Sequence, residues 1–365
     1  MITGCTPPTK HPEYYGGDYL FVTPSDLKYD SYYIGEAERT ISGEGFTKFK
    51  SRFVPEEAVM YTCIASIGKI GISKAPVLTN QQINSIIPGG STDSRFLYYL
   101  LRHITPYIQK QDAGCAVPII NKGDFENIEV PLVPFPVQRQ IADVLSAYDD
   151  LIENNRRRVA ILEETARLAY RKWFGGEVGR KATLDEICHD VRHGVSPDAI
   201  APETPYIGLE HMPRRSISLC EWESAQKVTS TKLAFEAGDI LFGKIRPYFH
   251  KVGIAFVDGV ASSDAIVIKP NRPELLAYVL MTVSSDAFVA AASQGMKEGS
   301  KMPRADWKQL LQYPVSLPDD ETLSRFNKVL TPILAQLKTL CFSIRNLAAA
   351  RDMLLPRLMK GDVVL

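Results

Sequence analysis

One stretch of this chain has little choice but to be a long helix. Residues 137–174, VQRQIADVLSAYDDLIENNRRRVAILEETARLAYRKWF, contain neither glycine nor proline and are rich in good helix formers. At the usual rise this is roughly 57 Å of helix. Its apolar residues form a heptad seam, with Ile141, Tyr148, Leu162 and Ala169 at one position and Leu145, Ile152, Val159, Ala166 and Trp173 at the other. Only Asn155 interrupts it. A shift of about 185 residues lands the same seam on Phe326, Ile333, Leu340, Leu347 and Leu354, and on Leu330, Leu337, Ile344 and Leu358. There Arg351 is the polar intrusion, and Pro332 should kink or delay the start of the second helix. Two stripes of matching length are what an antiparallel coiled coil buries; the blander alternative is that each helix packs on its own domain.

The same offset relates the text before the helices. RFVPEEAVMYTCIASIGKIGI around Phe53 and KLAFEAGDILFGKIRPYFHKVGI around Leu233 both run Glu and Ala, an apolar strand, Gly-Lys, then a second strand. IINKGDFENIEVPLVPFP and MPRADWKQLLQYPVSLP then set Asp124-Phe125 opposite Asp306-Trp307. Each copy is therefore domain-sized and ends in a seam helix.

A length of 365 residues fits two such domains. Charge is no guide to partners, because 42 basic residues balance 42 acidic ones. That is not the strongly basic profile of many nucleic-acid binders. The cysteines Cys5, Cys63, Cys115, Cys188, Cys220 and Cys341 form no C-x-x-C pair and read as buried or incidental thiols of a reducing compartment. No apolar run approaches a membrane span and no secretory layout opens the chain, so a cytoplasmic protein without membrane contact is expected.

The combined order of the pieces resembles a known family. LIENNRRRVAILEETARLAYRKWF, preceded by P-x-x-x-Q-R-Q-I from Pro134, is similar to the central conserved region of type I restriction-modification specificity subunits, and LLPRLMKGDVVL to their C-terminal end. TGCTPPTKHPEYYGGDYLFVTPSDL and TNQQINSI resemble the opening and a later part of a target recognition domain. TPYIGLEHM and GDILFGKIRPYFHKVGIA resemble another recognition-domain type. The resemblance implies an α+β fold with two mixed, sheet-rich target recognition domains separated by two long conserved helices that pair as an antiparallel coiled coil. The expected layout is a first recognition domain at 1–136, a central helix at 137–176, a second recognition domain at 177–319, and a C-terminal helix and tail at 320–365.

It also implies a non-catalytic subunit that reads a bipartite site in double-stranded DNA and docks two methyltransferase subunits and, through them, restriction subunits. A paired coil of ~50 Å would span about fifteen base pairs, an upper bound on the separation of the half-sites. The second copy opens with a strand-like lead, ATLDEICHDVRHG, that the first lacks. Either that lead lies upstream or another segment, such as the tail after Leu358, covers the edge.

DNA contacts should come from local basic clusters. In the first domain these are Lys48 and Lys50, with Arg52, near Phe46, Phe49 and Phe53, and Lys69 and Lys74 flanking the Gly-Lys turn. Gln81 and Gln82 could read adenine edges, although strand amides more often satisfy backbone. In the second domain Lys244, Arg246, His250 and Lys251 surround Tyr248 in a strand-turn-strand, and Lys297, Lys301 and Arg304 follow two glycines. For Arg246 a structural pairing with Asp239 or Asp264 stays open. Arg156, Arg157 and Arg158 sit on the helix flank, where pairing with Glu153, Glu163 or a partner subunit is expected, and Asn154 and Asn155 would set helix register.

Enzyme readings find little. No glycine-rich cofactor loop, Asn-Pro-Pro-aromatic run or P-loop occurs, and Asp26-Leu27-Lys28 is the nearest thing to a nuclease element. The histidines show no metal spacing. No cofactor, metal or catalytic residue is expected. The alternatives are a DNA-cleaving or modifying enzyme with a cryptic active site, and a coiled-coil assembly scaffold with degenerate recognition domains.

Overall fold

The computed structural model describes residues 1–111, 119–176, 179–294 and 302–363. It divides into two compact units, residues 1–150 with 347–365 and residues 151–346. The division falls inside both long helices, the central one at Phe135–Phe174 and the closing one at Asp320–Lys360. Each unit thus holds mixed sheets and one stretch of each helix, an α+β arrangement.

In the first unit a five-stranded sheet runs in the order Ile2–Thr3, Ile83–Ile86, Val59–Thr62, Ile70–Ser73, Tyr33–Ile34, antiparallel except for the last pair. A four-stranded sheet runs Arg39–Ile41, Tyr15–Val22, Val77–Thr79, Phe53–Val54. The second unit repeats the first of these as Cys188–Val191, Ala265–Pro270, Ile240–Gly243, Val252–Ala255, Ser218–Leu219, again with a parallel last pair. Its other five-stranded sheet contains Lys232–Phe235, Gly259–Ala261 and Pro205–Ile207.

The repeat is visible at single residues. Gly71 faces Met60 across its hairpin, and Gly253 faces Leu241 across the equivalent one. Both lie where the parallel fifth strand crosses closely. A Cβ on Gly71 would meet the side chain of Ile34 at 2.6 Å, and one on Gly253 would meet the carbonyl oxygen of Ile217 at 2.9 Å. Tyr61 stacks on Phe125 with ring centroids 5.0 Å apart, and at the matching place Phe242 lies 6.4 Å from Trp307. The short helices that carry Phe125 and Trp307 are capped by the Asn121 and Asp306 side chains, which accept backbone N–H bonds.

The helices close the core of each unit. In the first, Ile141, Ala142 and Leu145 of the central helix and Leu355 and Leu358 of the closing helix pack with Tyr61, Phe96, Leu97 and Ile108. In the second, Ala166 and Phe174 join Leu323, Phe326, Leu330 and Leu337 against Phe242, Ile268 and Tyr278. Within residues 151–346 the helices run antiparallel. Asn155 Nδ2 donates to Ser343 Oγ at 3.1 Å, while Phe174, further along one helix, meets Phe326, further back on the other, at 4.9 Å between centroids.

Both polar interruptions of the seam have partners. Asn155 has Ser343. Arg351, 1% exposed, pairs in the first unit with Asp149, 3% exposed, which also accepts from the Tyr99 hydroxyl. Burial pushes the Tyr99 phenol far up, with the Asp149 charge adding to it.

Two expectations need correction. Pro332 does not delay the closing helix, which starts at Asp320 and continues past it; what proline removes is a single intrahelical donor. The cysteines are not all thiols, since Cys220 and Cys341, 121 residues apart, form a disulfide. Cys5, Cys63 and Cys188 are free, and Cys115 lies outside the described residues. The lead strand absent from the first copy is present in the second, where Arg180–Thr183 pairs antiparallel with Pro314–Leu317. In the first unit Val130 and Val133 pack instead on a core that also takes Leu354, Met359 and Val363.

Removing Arg351 leaves the buried Asp149 carboxylate without its ion pair, whereas removing Asp149 leaves Arg351 a second partner, the exposed Asp352 at 2.9 Å. Arg351→Met should cost roughly 3–5 kcal/mol in unfolding measurements, Asp149→Ala less, and the double variant clearly less than the sum. Gly253→Ala, which drives a Cβ into backbone, should lower the melting temperature more than Gly71→Ala, which meets side chains that can move.

Candidate nucleic-acid interface

In the second unit the strands Ile240–Gly243 and Val252–Ala255 are joined by a turn with an unusual backbone. Arg246 and His250 are both left-handed, at φ 48° and 53°, and bracket the single turn Pro247–Phe249. Side chains with a Cβ rarely adopt this conformation. The turn is held from two sides. Arg246 N–H donates to the Pro303 carbonyl and Ala305 N–H to the Lys244 carbonyl, each at 2.8 Å. Arg215, itself at φ 57°, donates its N–H to the His250 carbonyl at 2.9 Å. Pro247 is buried, so Tyr248, 51% exposed, projects outward.

Several of the expected contact residues belong to this scaffold. His250 is 7% exposed; its Nε2–H donates to the Ser284 carbonyl at 2.8 Å, with Asp286 3.5 Å from Nδ1. Burial holds its pKa below the ordinary histidine value, against the pull of the Ser284 bond. Lys251 donates to the Leu209 carbonyl, and burial, with Arg214 nearby, lowers its pKa. Lys244 donates to the Ser263 carbonyl. Arg304 pairs with Asp264 at 3.2 Å, and Asp239 accepts the Glu236 N–H at 2.9 Å. The Arg246 guanidinium lies 5.9 Å from the centre of the Phe249 ring. Lys297 and Lys301 lie outside the described residues.

The first unit has an equivalent turn that is one residue shorter and lacks the helical turn of Pro247–Phe249. Ala65 at φ 63° and Gly68 at φ 99° take the two left-handed places, and Ile120 N–H donates to the Cys63 carbonyl at 2.9 Å. No long side chain stands where Arg246 and Tyr248 stand in the second. Lys69 donates to the Pro24 carbonyl at 2.8 Å, and the Lys74 ammonium lies 5.6 Å over the Tyr33 ring. Lys48 and Lys50 are exposed at the end of the helix Gly43–Phe49 and beyond it, beside the packed rings of Tyr19, Phe46 and Phe53. Gln81 is exposed and accepts from the Thr6 hydroxyl; Gln82 is tied to Asn80.

On the central helix Asn154, Arg157 and Arg158 are exposed, Arg156 is half-buried and Asn155 is buried. Arg157 pairs with Glu153 at 3.1 Å. Glu163 is buried and accepts from Ser216 Oγ and the Ile217 N–H, so it serves the second unit rather than Arg158. Among the described residues Glu210, His211 and Glu223 are the one grouping with metal-ligand proximity. There His211 Nδ1 accepts the Gly208 N–H at 2.9 Å, which leaves the proton on Nε2 and no free imidazole lone pair.

The basic and aromatic side chains of two repeated sheet domains, set on a paired-helix scaffold, have close parallels among known proteins. Residues 1–164 match the family described as the type I restriction modification DNA specificity domain. The chain is 26% identical to the type I restriction enzyme MjaIX specificity subunit of Methanocaldococcus jannaschii, over 99% of this chain and 90% of that one. Residues 1–164 thus carry the type I restriction-modification specificity domain, and the chain as a whole is similar to type I specificity subunits. It is 28% identical, over 49% of its length and 39% of the relative's, to the HindI specificity subunit of Haemophilus influenzae. The fold matches the crystal structure of the type I restriction-modification S subunit from M. genitalium, with a TM-score of 0.56 at 14% identity over 98% and 92% of the two chains. Specificity subunits are the non-catalytic DNA-recognition members of their systems. Among the described residues no single helix is long and apolar enough to cross a membrane.

Two features escaped the sequence reading: Arg214 beside the turn, and the carboxylate of Asp149. The Arg214-Arg215 pair after Pro213 was the available signal.

Because the folded state holds His250 neutral while the unfolded chain takes up a proton near the ordinary value of 6.5, its stabilising contribution is complete above that pH. It is lost as pH falls through the lower folded value. Thermal unfolding followed from pH 7.5 downward should show this loss, and His250→Asn, which tolerates the left-handed backbone, should flatten the slope.

Proposed function

We propose that this chain is the DNA-sequence specificity subunit of a type I restriction-modification complex and that its two recognition domains read the two parts of a bipartite site in double-stranded DNA. The observation that carries this reading is the repeated turn. The same strand pair and the same brace carry a turn bounded by two left-handed residues in both units, one residue shorter in the first, and it presents exposed Arg246 and Tyr248 in the second unit but Ala65, Ser66 and a buried Ile67 in the first. Two readers built alike but tipped differently fit two different half-sites. In the second domain the contact set is Arg246, Tyr248 and Arg304, with Lys297 and Lys301, which lie outside the described residues. In the first it is Lys48, Lys50, Lys74 and Gln81.

The helices dock methyltransferase subunits and, through them, restriction subunits, in the cytoplasm where the DNA lies. Ile161 and Leu168 support this: they are seven residues apart, hence on one face of the central helix, and both are exposed. Asn154, a further seven residues back, continues that face, and Arg158 lies beside it; both are exposed. An exposed apolar stripe beside arginine is the composition of a subunit interface.

The test is co-expression with the cognate methyltransferase and mapping of modified bases. Modified adenines or cytosines in a split motif with a fixed non-specific spacer are expected; a contiguous motif, or modification without sequence preference, would sink the reading. Ile161→Asp with Leu168→Asp should abolish recovery of the methyltransferase with this chain while leaving the circular dichroism spectrum unchanged.

A further inference from the structure

Of the five non-glycine residues with positive φ among the described residues, three, Arg215, Arg246 and His250, meet at one place. Strained backbone of this kind persists only where its surroundings enforce it, and it concentrates at functional sites. Here the enforcement is explicit. The Arg215 N–H bonds the His250 carbonyl, the Arg215 carbonyl accepts from Arg167, and His250 is anchored to Ser284. This arrangement brings the segment Pro213–Ser216 against the turn that carries Tyr248 and Phe249.

Its consequence is a guanidinium stack. Arg214 lies over the Phe249 ring with its Cζ 4.2 Å from the centroid, Arg246 approaches the same ring at 5.9 Å, and Tyr248 meets it edge-on at 4.9 Å. Arg214 is exposed, and among the described residues it is the neighbouring Arg215, not Arg214, that pairs with Asp286. The Arg214 charge is felt by its neighbour Lys251, whose pKa it helps to lower. An exposed guanidinium laid on an aromatic face has lost much of its rotamer freedom before any ligand arrives, and its donors point outward in the plane of the group. A planar fork of donors matches the O6 and N7 acceptors of guanine in the major groove.

We infer that Arg214, held by Phe249, is a specificity-determining residue of the second domain that donates a bidentate pair of hydrogen bonds to a guanine edge. This rests on the functional reading above and adds to it a residue, a base and a geometry. Phe249 is a positioning residue: it acts through Arg214.

The experiment uses the full chain co-expressed with its methyltransferase, in four forms: wild type, Arg214→Ala, Arg214→Lys and Phe249→Leu. Modified bases are mapped genome-wide for each, and DNA binding by the purified complex is measured against salt. The expected result is a loss of discrimination at one guanine position of one half-site, of about 10- to 100-fold. It should appear in both Arg214 variants and more weakly in Phe249→Leu, with the other half-site as the internal standard. Lysine should not rescue, because it lacks the fork. Uniform weakening at all sequences, with the salt slope reduced by about 1 and restored by Arg214→Lys, would make Arg214 a phosphate contact and overturn the inference. A wild-type split motif left unchanged by Arg214→Ala would overturn it as well. A wild type without any split motif would instead overturn the functional reading beneath it, so the two failures are told apart in one data set.

Discussion

The core of the first unit is closed by side chains that arrive from distant parts of the chain, and the rest of the structure depends on that closure. Ile141, Ala142 and Leu145 come from the start of the central helix and Leu355 and Leu358 from the end of the closing one. The sheet that carries Val59, Tyr61 and Ile72 packs against these residues and against Phe96, Leu97 and Ile108 of the helix Ser94–Gln111. Buried among them, Arg351 and Asp149 form an ion pair whose position is unforgiving. Apolar residues can slide past one another at small cost, but a buried guanidinium displaced by one turn would lose Asp149 and keep only Asp352 of its own helix. The pair therefore selects one register of the two helices within this unit, as Asn155 and Ser343 do within the other.

What could be read from the sequence followed from how local each signal is. The central helix was legible because some forty residues without glycine or proline leave few alternatives. The repeat was legible because Gly71 and Gly253 answer the same steric demand, a strand passing too close for a Cβ. Asn155 and Arg351 were visible as interruptions, but their partners were not, since Ser343 and Asp149 are set by a register that only the assembled cores define. Pro332 misled for a related reason: packing of Phe326, Leu330, Ile333 and Leu337 outweighs one missing backbone donor. The link between Cys220 and Cys341 lay beyond any spacing rule.

The candidate interface shows the same limit more sharply. A lysine in a strand-turn-strand looks the same in sequence whether its ammonium faces solvent or a carbonyl. Lys69, Lys244 and Lys251 each reach a carbonyl oxygen, of Pro24, Ser263 and Leu209, and so tie loops together. Net neutrality of the chain, with 42 basic and 42 acidic residues, adds no overall attraction to phosphate. Electrostatic attraction to phosphate would then be modest for the chain alone, and sequence choice would rest on geometry rather than on charge.

Geometry of that kind requires a turn that does not adapt. A flexible loop presenting Arg246 and Tyr248 would spend its binding energy on ordering, and would accept several base edges almost equally well. In the second unit the cost is met in advance, by left-handed residues pinned through backbone bonds to Pro303, Lys244 and Arg215 and by a buried histidine anchored to Ser284. The first unit keeps the brace, from Ile120 to Cys63, yet fills the tip with Ala65, Ser66 and Ile67. The brace is thus independent of what the tip carries. A scaffold that fixes the backbone of the turn, buries Ile67 in one unit and Pro247 and His250 in the other, and leaves outward positions such as Tyr248 clear of the core would permit a change of recognised base without a change of fold.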